Sequence, residues 1–509
     1  MAQTPLNPRT PATEELETAD MQGLVARAYG NLPFARYVFC HIAEPAAARV
    51  WLAETAGQVF SADRPETDEP CLNLALTWEG LRRLGLPEDD LATFPRPLQE
   101  GMATSHRSRV LGDFGASDPE RWAWGGPDAP EGAIHVLVML FTKTEEALDA
   151  EHARIRAAYE AGGGLTELPR PIEGRLLAVT GQEHFGFFDG LSQPRMKGWP
   201  KRQRSAHPEV PAQAEVTEAA TEAAAKAARF DEVEPGEIVL GYLDNFGKPA
   251  EGPTVPSSGS TGDLRDASWA PGRCDLGRNG SFLVFRQLAQ DVPAFHAAVR
   301  QASEATTGRS LPLSPEMVAA KVVGRWASGA SLVESPEEDP GEPGPNGFGY
   351  AEHDLNGMRC PLGAHIRRSN PRDSSEDDPD ATLESTRNHR ILRRGRPYGR
   401  PLPPAASDEV VEVADDERGL LFLCLNTDIE RQFEFIQHTW INNPFFAGLD
   451  GEIDPLVGAH PSPCGPFTVP DDPVRRKVSG MSGFVTTRGG AYLFLPGVKA
   501  LRYLSALPG

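Results

Sequence analysis

The order of patterned segments predicts an α+β architecture of antiparallel sheets covered by helices. Three observations carry it. The first half of the chain reads strand, helix, strand, strand, helix, strand. The second half repeats much of that rhythm. At 509 residues the chain is too long for one ordinary core, so two domains are expected. The segment order is that of a ferredoxin-like domain, here expected twice.

Residues 1–19, rich in Pro, Thr and Glu, read as a loose arm. Residues 20–29 suit a short helix capped by Thr18 or Asp20. Aromatic and β-branched content marks 34–42 as a strand, and Pro45 fits the first turn of a helix to about residue 56. Residues 71–77 read as a strand, and 78–84 as a helix stopped at Gly85. The apolar run 133–141 is a strand that feeds a helix over 144–161, which three glycines end. Residues 175–179 and 183–188 resume extended structure, closing a first domain over 20–198. Residues 199–235 break the pattern. A basic patch is followed by an Ala/Glu-rich run that could form a solvated helix but has no apolar face of normal width, and it reads as an insertion or linker. The second domain, 236–509, has a strand over 280–287 and a helix over 291–303. A helix capped at Ser314 runs to about Trp326. A strand over 419–425 precedes a helix to about Trp440, whose start, Thr427-Asp-Ile-Glu430, has capping-box spacing. A strand over 491–495 and a helix over 498–504 close the chain.

Hydrophobic content of 39% and charged content of 24% fit a soluble globular protein. Fifty basic against 72 acidic residues give a net charge of −22. Such a surface repels phosphate backbones and anionic bilayers, so neither nucleic acid nor membrane is expected as a partner. Apolar runs stop well short of the ~20 residues a membrane span needs. The N-terminus lacks a basic region followed by an apolar one, and six cysteines scatter without Cys-x-x-Cys spacing. A reducing, cytoplasmic setting is therefore expected. Nothing in the sequence fixes the oligomeric state, and a homo-oligomer stays open. Signatures of P-loop, zinc-protease and serine-hydrolase chemistry are missing.

Two stretches concentrate polar chemistry. His184-Phe-Gly-Phe-Phe-Asp189-Gly places one carboxylate in an apolar setting. Far downstream, Cys360-Pro-Leu-Gly-Ala-His365-Ile-Arg-Arg is followed by an acidic spacer over 373–380 and then by His389-Arg-Ile-Leu-Arg393-Arg394-Gly-Arg-Pro-Tyr-Gly. On residue types alone, His365 caps or packs, Asp189 sits in an Asp-Gly turn, and Arg393 pairs with the spacer. Cys360 and His365 could open a zinc site, but no second pair at zinc spacing follows.

In order, Gly186-Phe-Phe-Asp189-Gly190, His365 and Arg393 resemble the dye-decolourising peroxidases, a family of haem enzymes. The resemblance runs from Asp20-Met-Gln-Gly23 to Gly490-Ala-Tyr-Leu-Phe-Leu-Pro-Gly497. It implies paired ferredoxin-like domains, with one haem b per chain held mainly by the C-terminal one. It implies reduction of hydrogen peroxide to water and one-electron oxidation of an aromatic small-molecule reductant, a dye or a phenolic. It makes His365 the axial ligand of the haem iron. It makes Asp189 the group that moves a proton between the peroxide oxygens. Arg393 becomes a fixed cation beside them, or a haem-binding residue paired with a propionate, chosen over Arg394 by the Arg-Arg-Gly-x-Pro-Tyr-Gly motif. A carboxylate in that role, with a reference pKa near ~3.9, implies an acidic optimum. The spacer reads as an inserted surface loop. Leu420 and Phe422, two apart on a strand, share a face and would wall the haem; ordinary core is the other reading. Asp454 would accept the second ring N–H of His365; a plain turn Asp is the other reading. Bulky dyes cannot enter a small pocket, so Trp440, Tyr398 and Tyr350 are candidates to relay electrons. The rival readings are a haem carrier or sensor, a haem-iron-releasing protein on the same fold, and a protein without cofactor.

Overall fold

The computed structural model describes residues 14–127, 133–169, 171–176, 181–199, 218–258, 261–305, 313–401, 417–459, 465–471, 475–481 and 483–508, and the backbone alone for 218–224. Most of the expected arm and of the basic patch after residue 199 lies outside these residues, as do 177–179 of an expected strand and Cys464. The five described cysteines are free and buried.

Ten strands form one continuous sheet. In the first half they are β1 (Phe34–Ile42), β2 (Cys71–Leu76), β3 (Val136–Thr142), β4 (Leu165–Glu167) and β5 (Ile172–Arg175). In the second they are β6 (Ser281–Gln290), β7 (Leu392–Arg393), β8 (Arg396–Tyr398), β9 (Gly419–Asn426) and β10 (Val485–Leu495). The order is β7-β9-β6-β10-β2-β3-β1-β4, with β8 also on β9 and β5 also on β1. Each half therefore has the ferredoxin-like arrangement, its first strand central and its last beside it. The two sheets meet edge to edge where β10 pairs with β2 at Phe494 and Leu76.

Side chains alternate across this sheet, so each face collects one apolar set. On one face Val38, Leu74, Val138, Val284 and Phe494 pack beneath the helices Pro45–Ala56, Glu145–Gly162 and Val498–Ser505. On the other, Tyr37, Leu137, Phe285, Leu423 and Leu493 pack under the chain start, from Met21 to Leu32, and under Ile238, Val239 and Tyr242. Both sets cross the joint between the halves. Helix ends follow local chemistry. The Thr77 hydroxyl accepts from the Gly80 N–H at 3.0 Å, and Gly85 takes φ +100° at the other end. The Ser314 hydroxyl caps Pro315–Val323 from the Met317 N–H at 3.2 Å.

Several elements differ from expectation. The helix expected over 20–29 shrinks to Gly23–Ala26, because Gln22 spends its amide on the joint between the halves and Tyr29 adopts φ +54°. Residues 183–188 form a closed turn, not a strand, with Gly186 at φ +96°. The Ala/Glu-rich run does contain a helix, Glu218–Asp231. The helix from Ser314 ends at Val323, short of Trp326, because Gly324 takes φ +98°. Residues Glu430–Glu434 and Ile436–Ile441 wind in wider, π-type turns. Thr427 does not cap them. Asp428 accepts from the Arg431 N–H at 3.0 Å, and Gln432 Oε1 takes the N–H groups of Thr427 and Asp428. The acidic spacer is not simply a surface loop. Asp373 is buried and holds the Tyr350 N–H at 2.6 Å, and Asp378 caps the helix Pro379–Arg387.

Candidate active site

A cavity of about 510 Å³ lies on the sheet face that carries Arg286, Leu288 and Gln290 of β6, Leu420 and Phe422 of β9, and Thr487 of β10. Asp189, His365 and Arg393 also line it. Three side chains remote along the sequence thus meet at one space.

His365 opens a short helix, His365–Ser369. The two arginines after it are fasteners, not ligands. Arg367 reaches the carbonyls of Asp354, Leu355 and Cys360 at 2.9–3.0 Å, and Arg368 those of Trp440, Asn443 and Glu452 at 2.6–3.0 Å. A rigid five-donor fork suits this gathering of loose carbonyls. His365 Nδ1 lies 2.9 Å from Asp454 Oδ2, which leaves Nε2 for the cavity. Asp454 Oδ1 accepts from the N–H groups of Leu456 and Val457, both at 2.9 Å. Burial works to lower the His365 pKa, but the Asp454 carboxylate outweighs it and holds the imidazole above its ordinary value. Burial works to raise the Asp454 carboxyl. The His365 charge and hydrogen bond, with the Val457 N–H, hold it below the usual range.

Asp189 sits where its chain turns back. Its N–H donates to the Gly181 carbonyl at 3.2 Å, and the neighbouring Phe188 N–H donates to Ala327 at 3.1 Å. Asp189 Oδ1 accepts from the Gly190 N–H at 2.7 Å and from Arg393 Nη1 at 3.1 Å. Arg393 is fixed in turn. Its Nη2 donates to the Leu191 carbonyl at 2.7 Å, and its N–H to Gln193 Oε1 at 3.0 Å. Arg394 points away and clamps the carbonyls of Leu24 and Val25 at 2.7 and 2.8 Å. Strand alternation separates the two roles.

Of the aromatic candidates, Tyr350 lines the cavity and is buried, with Arg367 4.2 Å from its ring centroid. Trp440 packs edge-on against His389, 5.2 Å between centroids, and His389 lines the cavity. Tyr398 does not line it; its hydroxyl donates to Glu417 at 3.0 Å. Residue types alone did not mark Glu183, His389 or the ion pair of Asp113 with Arg286, all on the cavity wall. Glu183 stands immediately before the stretch that carries Asp189, and that was the available signal.

The residues fit a haem. The cavity has the bulk of a porphyrin, its walls are largely apolar, and one imidazole turns a free ring nitrogen towards it. The buried Asn370 Oδ1 on its wall has no partner of its own.

Comparison with known proteins agrees. The description "Dyp-type peroxidase, C-terminal" matches residues 260–456. A dye-decolorizing peroxidase of Mycena epipterygia is 30% identical over 490 residues, 89% of this chain and 79% of that protein. One from Exidia glandulosa is 27% identical, covering 96% of this chain and 87% of that protein. The crystal structure of the DyP-type peroxidase of Anabaena sp. superposes with a TM-score of 0.73 at 23% identity, over 96% of this chain and 94% of that one. The fungal enzyme of Auricularia auricula-judae gives 0.72 at 24%, over 97% and 100%. At those identities the structures speak for the fold, and the sequence relatives for the family. With a 30% identical peroxidase relative matched over 89% of this chain and 79% of its own length, the chain belongs to the dye-decolourising peroxidase family of haem enzymes.

Proposed function

We propose that the cavity would hold one haem b per chain, with His365 as the residue that holds its iron and with Asp189 and Arg393 acting on hydrogen peroxide in the same cavity. Dyes and phenolics would then give up one electron at a time. The observation that carries this is the single cavity shared by the Nε2 of His365 and the Asp189–Arg393 ion pair. A haem bound there would supply the iron redox chemistry that peroxide reduction needs. The chain's own groups do the rest. Asp454 keeps the Nδ1 proton and orients the ring, so Nε2 is the donor atom. Asp189 Oδ1 is engaged by Arg393 and Gly190, which leaves Oδ2 to take a proton from one peroxide oxygen and return it to the other. The Arg393 guanidinium steadies negative charge as the O–O bond lengthens. Leu420 and Phe422 keep bulk water from that side.

A reductant too large for the cavity would deliver electrons through Trp440 and His389, whose rings lead to the wall; Tyr350 is a second route. The five free cysteines among the described residues fit a reducing cytoplasm. Among the described residues no helix is long and apolar enough to cross a membrane. A haem carrier has no use for the Asp189–Arg393 pair, so that reading is not favoured. The test is the visible spectrum with and without peroxide. Wild type should show a Soret band that changes on adding peroxide. His365→Ala should lose the ordinary band, and Asp189→Asn should keep it but respond far more slowly. A purified wild type without a Soret band, even after haem is added, overturns the proposal.

A further inference from the structure

The loop that carries Asp189 contains a second carboxyl group that the scheme above leaves idle. Glu183 lies on the wall of the same cavity. Its Oε1 accepts from the Phe187 N–H at 3.0 Å. Its Oε2 accepts from the Phe185 N–H at 2.9 Å and from Gln290 Nε2 at 2.7 Å. The backbone closes the same circle. The Glu183 N–H donates to the Phe187 carbonyl, and the Gly186 N–H to the Glu183 carbonyl, both at 2.9 Å. Glu183 therefore fastens its own loop at two points and grips the last residue of β6. The two rings between those points, Phe185 and Phe187, sit 4.7 and 6.4 Å from Phe295 on the helix that follows β6.

A carboxyl is an unfavourable choice for an ordinary turn here. Burial pushes Glu183 up to about 7, and Asp189 nearby adds repulsion. What the geometry demands is two acceptor oxygens on one short side chain. Glutamine supplies one acceptor, and its NH₂ would face an N–H donor in either orientation. Gln290 Oε1 is buried and unpartnered. Turning that amide lets it accept from a protonated Glu183, so the pair can close with the carboxyl in either state.

We propose that Glu183 and Gln290 form a latch that fixes where Asp189 stands over the cavity, which makes Glu183 a positioning residue for the peroxide step. This rests on the reading of Asp189 given above. Misplacing a reacting group by about 1 Å can slow a reaction about a hundredfold, so a residue that never meets peroxide can still set its rate.

The test uses the haem-loaded enzyme with Glu183→Gln, Gln290→Ala and the double variant. Stopped-flow absorbance should show the reaction with hydrogen peroxide slowed about ten- to a hundredfold in Glu183→Gln. The resting spectrum and the KM for the aromatic reductant should not change. The double variant should be no slower than Glu183→Gln alone, since both changes break one device. Hydrogen exchange, read apart from activity, should show the amides of Phe185 and Phe187 losing protection. A peroxide rate within about twofold of wild type in both single variants overturns the latch, and so do amides as protected as in wild type. Asp189→Asn is the separate control. If it reacts with peroxide like wild type, the reading of Asp189 fails, while amide exchange still decides the latch.

Discussion

Asp454 divides its two carboxylate oxygens between two neighbours. Its Oδ1 makes the turn expected of an Asp before Pro, and its Oδ2 meets His365. Replacing it with Ala strips His365 Nδ1 of its acceptor. Haem affinity should then fall about 10–100-fold, measured by haem titration. Glu183 makes a prediction of opposite character. Its folded pKa of about 7 lies above an ordinary 4.5, so the folded state binds the extra proton between those values. Stability from this group is full below about pH 4.5, falls as pH rises, and is lost above about 7, by up to about 3 kcal/mol. Melting curves from pH 4 to 8 should show that decline in wild type and a flatter profile in Glu183→Gln. The contrast with Asp189, His365 and Arg393 marks what the sequence discloses. Those three stand in contiguous motifs of recognisable type. Glu183 acts on backbone N–H groups, which have no letter in a sequence, and on Gln290, 107 residues away.

At the scale of elements, the long strands β1, β2, β3, β6 and β9 were legible because strong apolar runs carry them, while the short strands β4, β7 and β8 carry no such run and were not. Helix ends were less so. Thr427 has capping-box spacing, yet Gln432 reaches back first and the following turns widen, a choice made by packing and not by spacing. The strand β9 offers a test of how closely the site depends on sheet geometry. A Cβ at Gly419 would collide with the Leu288 carbonyl, which is backbone and cannot yield. Gly419→Ala should destabilise the protein by about 1–3 kcal/mol, read from denaturant midpoints. It should also weaken haem retention, because Leu420 and Leu288 both face the cavity.

For the molecule as a whole, length predicted two domains, while the structure joins their sheets. That joint is short in strand pairing, and side chains reinforce it. Gln22 Nε2 donates to the carbonyls of Leu74 and Pro496 at 2.7 and 2.9 Å, and its Oε1 accepts from the Leu74 N–H at 2.8 Å. No periodicity announces such a residue. Gln22→Ala leaves buried backbone groups unpaired and should cost about 2–4 kcal/mol. Because both apolar layers span the halves, loss of bound haem and loss of far-ultraviolet ellipticity should still coincide in one transition.

The clamping of the chain start has a consequence for biosynthesis. Leu24 and Val25 are held by Arg394, Leu32 by Arg396, and Asp20 by Lys499. On the ribosome, Leu24, Val25 and Leu32 must wait for arginines synthesised 364 to 370 residues later. Until those arginines emerge, the segment from Met21 to Leu32 lacks these anchors over one face of the nascent sheet. Chaperone capture during elongation should therefore concentrate there, on Tyr37, Phe39 and Met139.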